Sequence, residues 1–336
     1  MKSKTKKNSS IIFIQIICSL LIVNYHTEIL NIPYLNYLAQ GGFILNSIFV
    51  FISGYLLTKS FCSNNKINFK TFIIRRIQRI YPSFIIVIII DLVYSFFSSE
   101  QIIISNYLKT LTGFGYFFNN HEIFSDNHLW FISVIMVCYI SFMQTYRFAI
   151  KYPYIFIFTI SVILLLYNYL LMKNPSTICN NISSDKILRF LYHYLIFCIA
   201  IITQTKKYKI TTYKILHLIV LCFSFLGYSY YIQKKSVSVI SLFFAIIVVL
   251  SLIPTLSKIA EITESKHQLL NKLKDITYEI YLIHFIVINI INKYLHGNIL
   301  GYILTFLISI PLALLINILS IKFTEKLNSK ISDKIA

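Results

Sequence analysis

Charged side chains are scarce in this sequence: 13% of its 336 residues are Asp, Glu, Lys or Arg, against roughly 25% in an ordinary soluble domain. Acidic residues are the scarcer kind, 12 against 31 basic ones. That is too little charge to clothe a water-facing surface, which excludes a soluble globular protein. Cysteine is sparse and scattered. Cys18, Cys62, Cys138, Cys179, Cys198 and Cys222 include no CxxC pair, so neither a metal site nor a disulfide framework is expected, and a thiol within an apolar run acts as a small hydrophobe. The basic start MKSKTKKNSS resembles that of a signal peptide. No small-residue cleavage site follows before Asn24, and an uncleaved first span is expected. Long linkers, low-complexity tracts and a clear internal repeat are also missing, and no segment reads as a soluble domain.

What the chain does have is apolar length. It is 57% hydrophobic with a mean hydropathy of +0.71, and its apolar runs of about 18–22 residues can each cross a hydrocarbon core of ~30 Å. The runs are continuous and do not alternate with polar residues, which points to helices rather than a barrel. The fold class is therefore all-α, a polytopic integral membrane helical bundle filling residues 1–336 as a single domain. Ten spans are expected at about 11–30, 41–59, 80–98, 128–145, 153–172, 187–204, 213–231, 236–256, 276–293 and 299–321.

The net charge of +19 does not point to nucleic acid, because the basic residues sit in the short gaps between runs. With the amino terminus inside, 24 Lys and Arg residues fall on the inner side and 7 on the outer. Such asymmetry is the orientation signal of a cytoplasmic face and puts both termini in the cytoplasm. The longest polar segments are an outer loop at 99–127 and inner loops at 60–79 and 257–275.

Polar residues inside the runs are the candidates for chemistry. The first run closes as LLIVNYHTEIL, and His26 lies 15 residues beyond Ile11, about 22 Å into the bilayer and in its outer half. Ionisable groups at that depth face a bundle interior or a wet cavity. A structural imidazole bonded to a neighbouring helix and a proton-transfer group both satisfy this. Glu28, two positions on, points to a different helical face. It pairs with His26 only where the helix loosens towards Pro33, and is otherwise an interfacial carboxylate. In the second span Ser53-Gly54 offers a small surface, suited to close helix packing or to a ligand.

The segment INFKTFIIRRIQRIYPSF follows. Arg75 and Arg79 stand at i,i+4 and Arg76 and Arg79 at i,i+3, crowding three guanidiniums at the inner membrane surface beside Lys66 and Lys70. Guanidinium forks grip phosphate bidentately; orientation plus binding of anionic lipid headgroups is the plainer alternative. Arginine in a chain where lysine prevails favours a specific phosphate ligand. The fourth span opens SDNHLWFIS. Its Trp130, the only tryptophan, stands where interfacial anchors belong, while Asp126 and His128 either meet a polar substrate at the outer mouth or are solvated. In the ninth span ITYEIYLIHFIVINII carries Glu279, Tyr281 and His284, with His284 about 12 Å from the inner end. A buried structural role is the default for His284, as for His193 and His217.

Taken in order, a His in span 1 (His26), IFVFISGYLL (48–57), FIIRRIQRIYP (72–82), HLWFIS (128–133) and YEIYLIH (278–284) resemble the membrane-bound acyltransferase family 3. These are ten-span bacterial enzymes that often O-acetylate surface sugars. Gln15 stands eleven positions before His26, where the family commonly has an arginine implicated in acyl-donor use, and Ser47 replaces a frequent acidic residue. The resemblance implies a multi-pass protein of the bacterial cell membrane, using cytoplasmic acetyl-CoA as donor and a glycan or lipid-linked sugar as acceptor. It expects no metal or prosthetic group. In that reading Arg75, Arg76 and Arg79 hold the donor phosphates, His26 is the general base with Glu28 orienting it, and Ser53, His128, Trp130, Tyr281 and His284 line the substrate path. The competing expectation is a non-enzymatic exporter or flippase of a glycan or lipid-linked sugar, with the same polar residues but no coenzyme A site.

Overall fold

A computed structural model describes residues 2–27, 42–63, 68–98, 102–118, 126–173, 184–206, 214–233, 239–262, 273, 275–295 and 299–332. Among them there are helices and no strand. The helices, in chain order, are α1 (Lys2–Thr27), α2 (Gly42–Ser63), α3 (Phe69–Phe97), α4 (Ile104–Leu111), α5 (Gly115–Phe118), α6 (Asp126–Lys151), α7 (Pro153–Lys173), α8 (Ser184–Thr205), α9 (Lys214–Gln233), α10 (Val239–Ile262), α11 (Thr277–Asn292) and α12 (Ile299–Ser332). Among the described residues, each of the ten apolar runs overlaps one of the long helices. Over the described residues, five of these (α2, α3, α6, α8 and α12) are long and apolar enough to cross a membrane, and α1, α7, α9, α10 and α11 carry shorter apolar stretches. Large apolar side chains stand exposed on the outside, among them Tyr154, Ile155, Phe158 and Leu166 on α7 and Leu307 and Leu315 on α12. A patch of that extent belongs against lipid.

The local chemistry supports helices at membrane depth. Asn68 caps α3 with an extended backbone, and its side chain accepts from the Lys70 amide at 3.4 Å. Hydroxyls within the runs fold back on their own helices: Ser47 Oγ donates to Phe43 O at 2.8 Å, Thr58 Oγ1 to Gly54 O at 2.8 Å and Thr203 Oγ1 to Ile199 O at 2.7 Å. Such bonds satisfy a buried hydroxyl without a partner helix. Of the five long apolar helices, α2 is the most enclosed, with 67% of its apolar window buried against 28% for α12. It therefore runs through the interior of the bundle.

Close packing of α2 on α8 depends on Gly54. A Cβ there would lie 2.9 Å from Phe197 Cδ2 and 3.0 Å from the Phe197 carbonyl oxygen, and a backbone atom cannot be moved cheaply. Gly54→Ala is expected to destabilise the protein by about 1–3 kcal/mol, the usual cost of overpacking. The measure is the melting temperature of detergent-solubilised protein; an unchanged value would mean that α2 and α8 are not held this closely.

Of residues 99–127, expected as a polar outer loop, the described stretch 102–118 carries the helices α4 and α5 and runs back along α3. Tyr107 Oη donates to Asp91 Oδ2 at 3.1 Å and lies 3.0 Å from Ser95 Oγ. Further along, Tyr81 Oη donates to Thr112 O at 2.6 Å. The chain turns at Gly113, whose φ of +78° suits glycine, and a Cβ there would meet Tyr81 Oη at 2.7 Å. The polarity of this stretch misled because its sides are inverted. Asn106, Tyr107 and Thr110 are buried, while Ile104 and Leu108 are exposed.

Helix α11 ties the bundle together. Ser19 Oγ of α1 donates to Thr277 O at 3.3 Å, Tyr278 Oη donates to Ile80 O of α3 at 3.2 Å, and Ser83 Oγ of α3 donates to Glu279 Oε1 at 2.8 Å. His128 Nε2 of α6 donates to Leu282 O at 2.9 Å, and Tyr281 Oη donates to His128 O. The cluster of polar residues in TYEIYLIH is therefore a set of junctions to three other helices.

Candidate functional site

Three histidines from three helices meet. His26 ends α1, His128 opens α6 and His284 lies in the middle of α11. The ring centroids of His26 and His284 are 5.2 Å apart and those of His128 and His284 5.1 Å. Phe285 closes the group, stacked on His128 at 5.1 Å and edge-on to His26 at 5.3 Å. His128 and His284 are buried, at 1% and 0% exposure, and His26 is half-buried. Burial corrects the expectation of a solvated His128: its Nε2 is held by a backbone carbonyl of α11. His284 Nδ1 donates to Tyr281 O at 2.7 Å and sits 3.2 Å from Ile280 O. Facing two carbonyls, that nitrogen must carry the hydrogen. Among the described residues His284 Nε2 has no hydrogen-bond partner. No group of three His, Cys, Asp or Glu side chains there is arranged to hold a metal ion.

Next to this cluster lies a cavity of about 290 Å³. Its walls come from α1, α2, α3, α6 and α11. On α2 they run from Ser60 to Phe49, eleven positions or about 16 Å at 1.5 Å per residue. One end carries Ser60, Arg76, Arg79 and Tyr139, and the other Phe49, Phe131 and Tyr281. Tyr281 belongs to both cavity and cluster, with its ring 5.5 Å from Phe131, 5.8 Å from His128 and 5.9 Å from His284. The cavity thus leads from the guanidiniums to Tyr281, whose ring stands between it and the imidazoles of His128 and His284. Ser53 lines it while Gly54 beside it packs on α8, so the two small residues serve the two purposes separately. Gln15, at the position where an arginine is common in the family, also lines it.

The three arginines are not equivalent. Arg76 is half-buried, with Cζ 5.6 Å from the Phe72 ring centroid and 5.9 Å from that of Tyr139, a placement that holds the guanidinium by cation–π attraction. Its Nε has no hydrogen-bond partner among the described residues. Arg79 and Arg75 are exposed. Arg79 joins Arg76 on the cavity wall, while Arg75 lines a small recess beside it with Phe61 and Phe72. The crowding read from the i,i+3 and i,i+4 spacing is real, and Arg76 borders both spaces, the cavity with Arg79 and the recess with Arg75.

Trp130 does not join the histidine cluster. It lies 5.1 Å from His193 and 5.8 Å from Tyr116. His193 is buried with Nδ1 on Arg189 O at 2.7 Å and Nε2 3.3 Å from Ser47 Oγ, a satisfied interior histidine in keeping with its default. Glu28 lies outside the described residues, as do the side chains of Asp126 and His217. Phe285 and Tyr139 went unnoticed in the sequence. With 28 Phe and 25 Tyr in the chain, neither had a local signal to separate it from lipid-facing aromatics.

Comparison with known proteins bears on what this arrangement serves. Residues 8–321 match the family of acyltransferase 3 proteins, described as an acyltransferase domain. Over 96 residues, 27% of the chain, the sequence is 34% identical to the peptidoglycan O-acetyltransferase OatA of Listeria monocytogenes. The matched stretch is 14% of that protein's length. No solved structure matches the chain.

Proposed function

Because this chain belongs to acyltransferase family 3, matched over residues 8–321, we propose that it is a membrane O-acyltransferase. In this reading it moves an acetyl group from cytoplasmic acetyl-CoA to a hydroxyl of an extracytoplasmic or lipid-linked polysaccharide in a bacterial cell membrane. The observation that carries it is the cavity joining Arg76 and Arg79 at one end to Tyr281 at the other, where the Tyr281 ring neighbours those of His128 and His284. Arg76 and Arg79, with Arg75 beside them, grip the phosphates of the donor. The pantetheine arm follows the apolar wall of Phe49, Ile52 and Ile132, which brings the thioester to Tyr281. His26 accepts the proton of the acceptor hydroxyl as its oxygen bonds to the thioester carbonyl carbon, a role suited to an imidazole near neutral pH. The carbon–sulfur bond then breaks, and the proton held by His26 passes to the thiolate, which leaves as free coenzyme A and restores the neutral imidazole.

The deciding experiment is transfer of labelled acetyl from acetyl-CoA to polysaccharide by purified protein in liposomes. Ester-linked label on the glycan is expected. Glycan movement with no thioester consumption would instead identify an exporter or flippase.

Ten crossings with both termini cytoplasmic complete the proposal, supported by the basic residues gathered between alternate runs. With the native cysteines replaced, new cysteines at Asn119 and Asn180 are expected to react with an impermeant thiol reagent on intact cells, and one at Asn64 to be protected. The reverse pattern would invert every assignment of side.

A further inference from the structure

Within the histidine cluster His284 presents an open acceptor. His284 is 0% exposed, and its Nδ1 hydrogen is committed to the carbonyls of Tyr281 and Ile280. Nε2 is therefore a lone pair, and among the described residues nothing donates to it. A buried acceptor without a donor is costly, so the site is built for one. The rings nearest His284 from other helices are those of His26 and His128. His128 has its Nε2 hydrogen on Leu282 O at 2.9 Å. That bond holds it to the backbone of α11 and leaves His26, half-buried at the end of α1, as the ring with freedom to turn.

We propose that His284 is the positioning residue of His26: its open Nε2 accepts the N–H of His26, which turns the other ring nitrogen of His26, with its lone pair, towards the acceptor hydroxyl. The inference rests on the acyltransferase reading above and deepens it. The tautomer of His284 is dictated by two main-chain carbonyls, and through it the tautomer of His26 is dictated in turn. As His26 takes the proton and becomes an imidazolium, the bond to His284 becomes charge-assisted and strengthens. The support is thus greatest where the transition state needs it. Hydrogen bonds of this kind tighten from a looser resting geometry on substrate binding, in keeping with centroids 5.2 Å apart and tilted by 46°.

Leucine and glutamine separate this role from packing. Leucine fills a buried apolar position but accepts nothing, whereas the glutamine carbonyl can accept the His26 N–H. Steady-state transfer from acetyl-CoA is measured for His284→Leu and His284→Gln, each alone and combined with His26→Gln. The leucine variant is expected to accumulate normally and keep the wild-type KM for acetyl-CoA. Its kcat should fall on the order of 10–100-fold, the worth of a charge-assisted hydrogen bond. His284→Gln should recover most of that loss, and neither change should lower the residual rate of His26→Gln, because His284 acts through His26. Full kcat in the leucine variant, equal losses in the two variants, further loss in the double variants, or failure of the leucine protein to accumulate would each overturn the proposal. Wild-type protein separates the two readings: no transfer by it rejects the acyltransferase assignment, whereas wild-type transfer with insensitive His284 variants rejects this inference alone.

Discussion

His26→Gln is expected to lower acetyl transfer by about 10²–10⁴-fold, the usual contribution of a general base. Glutamine keeps much of the size of histidine and some of its hydrogen bonding, but takes up no proton at neutral pH. The variant should insert, accumulate and bind acetyl-CoA as the wild type does. The cavity holding the arginines is lined from α1 by Gln15, eleven positions from His26, so the donor end is not disturbed. Half-burial of His26 among His284, Phe285 and Tyr25 makes protein level the necessary companion measurement. A variant present at wild-type level with strong transfer would remove His26 from the mechanism.

Arg76→Lys carries the second large effect. It preserves the positive charge that orients the chain, and insertion should be unaffected. It loses the planar fork and the seat between Phe72 and Tyr139, which a lysine ammonium cannot reproduce. Loss of a charge-assisted contact to phosphate predicts that Kd for acetyl-CoA rises about 10–100-fold, while kcat at saturating donor changes little. Arg75→Lys should be much milder, because Arg75 is exposed and lines the neighbouring recess instead of the cavity. Isothermal titration of both variants decides it. Equal, small effects would leave the cluster as an orientation signal bound to lipid headgroups.

The helical architecture was legible from hydrophobic run length, because in lipid a backbone must satisfy its own hydrogen bonds and a continuous apolar run has few ways to do so. His26, the Arg75–Arg79 cluster and YEIYLIH were also legible, since a polar group in such a run stands out against its neighbours. The hairpin at 102–118 was not. Its polar residues read as a loop because the sequence does not say which side faces solvent, and here Asn106 and Thr110 point inward with Ile104 and Leu108 outward.

What run length and charge could not decide was which polar residues meet. His128 and Trp130 are two positions apart, yet one packs on His284 and the other on His193, because residues so spaced face different sides of a helix. His26 and His284 are separated by nearly the whole chain and lie 5.2 Å apart. Composition and pattern establish that a chain enters the membrane, since that is a one-dimensional property of transfer from water to lipid. The joining of Arg76 and Arg79 to Tyr281 through one cavity, beside the histidines, depends on the rotation of α1, α2, α3, α6 and α11 about their axes. Interhelical side-chain packing and the hydrogen bonds of α11 set that rotation, and they exist only once the helices are assembled.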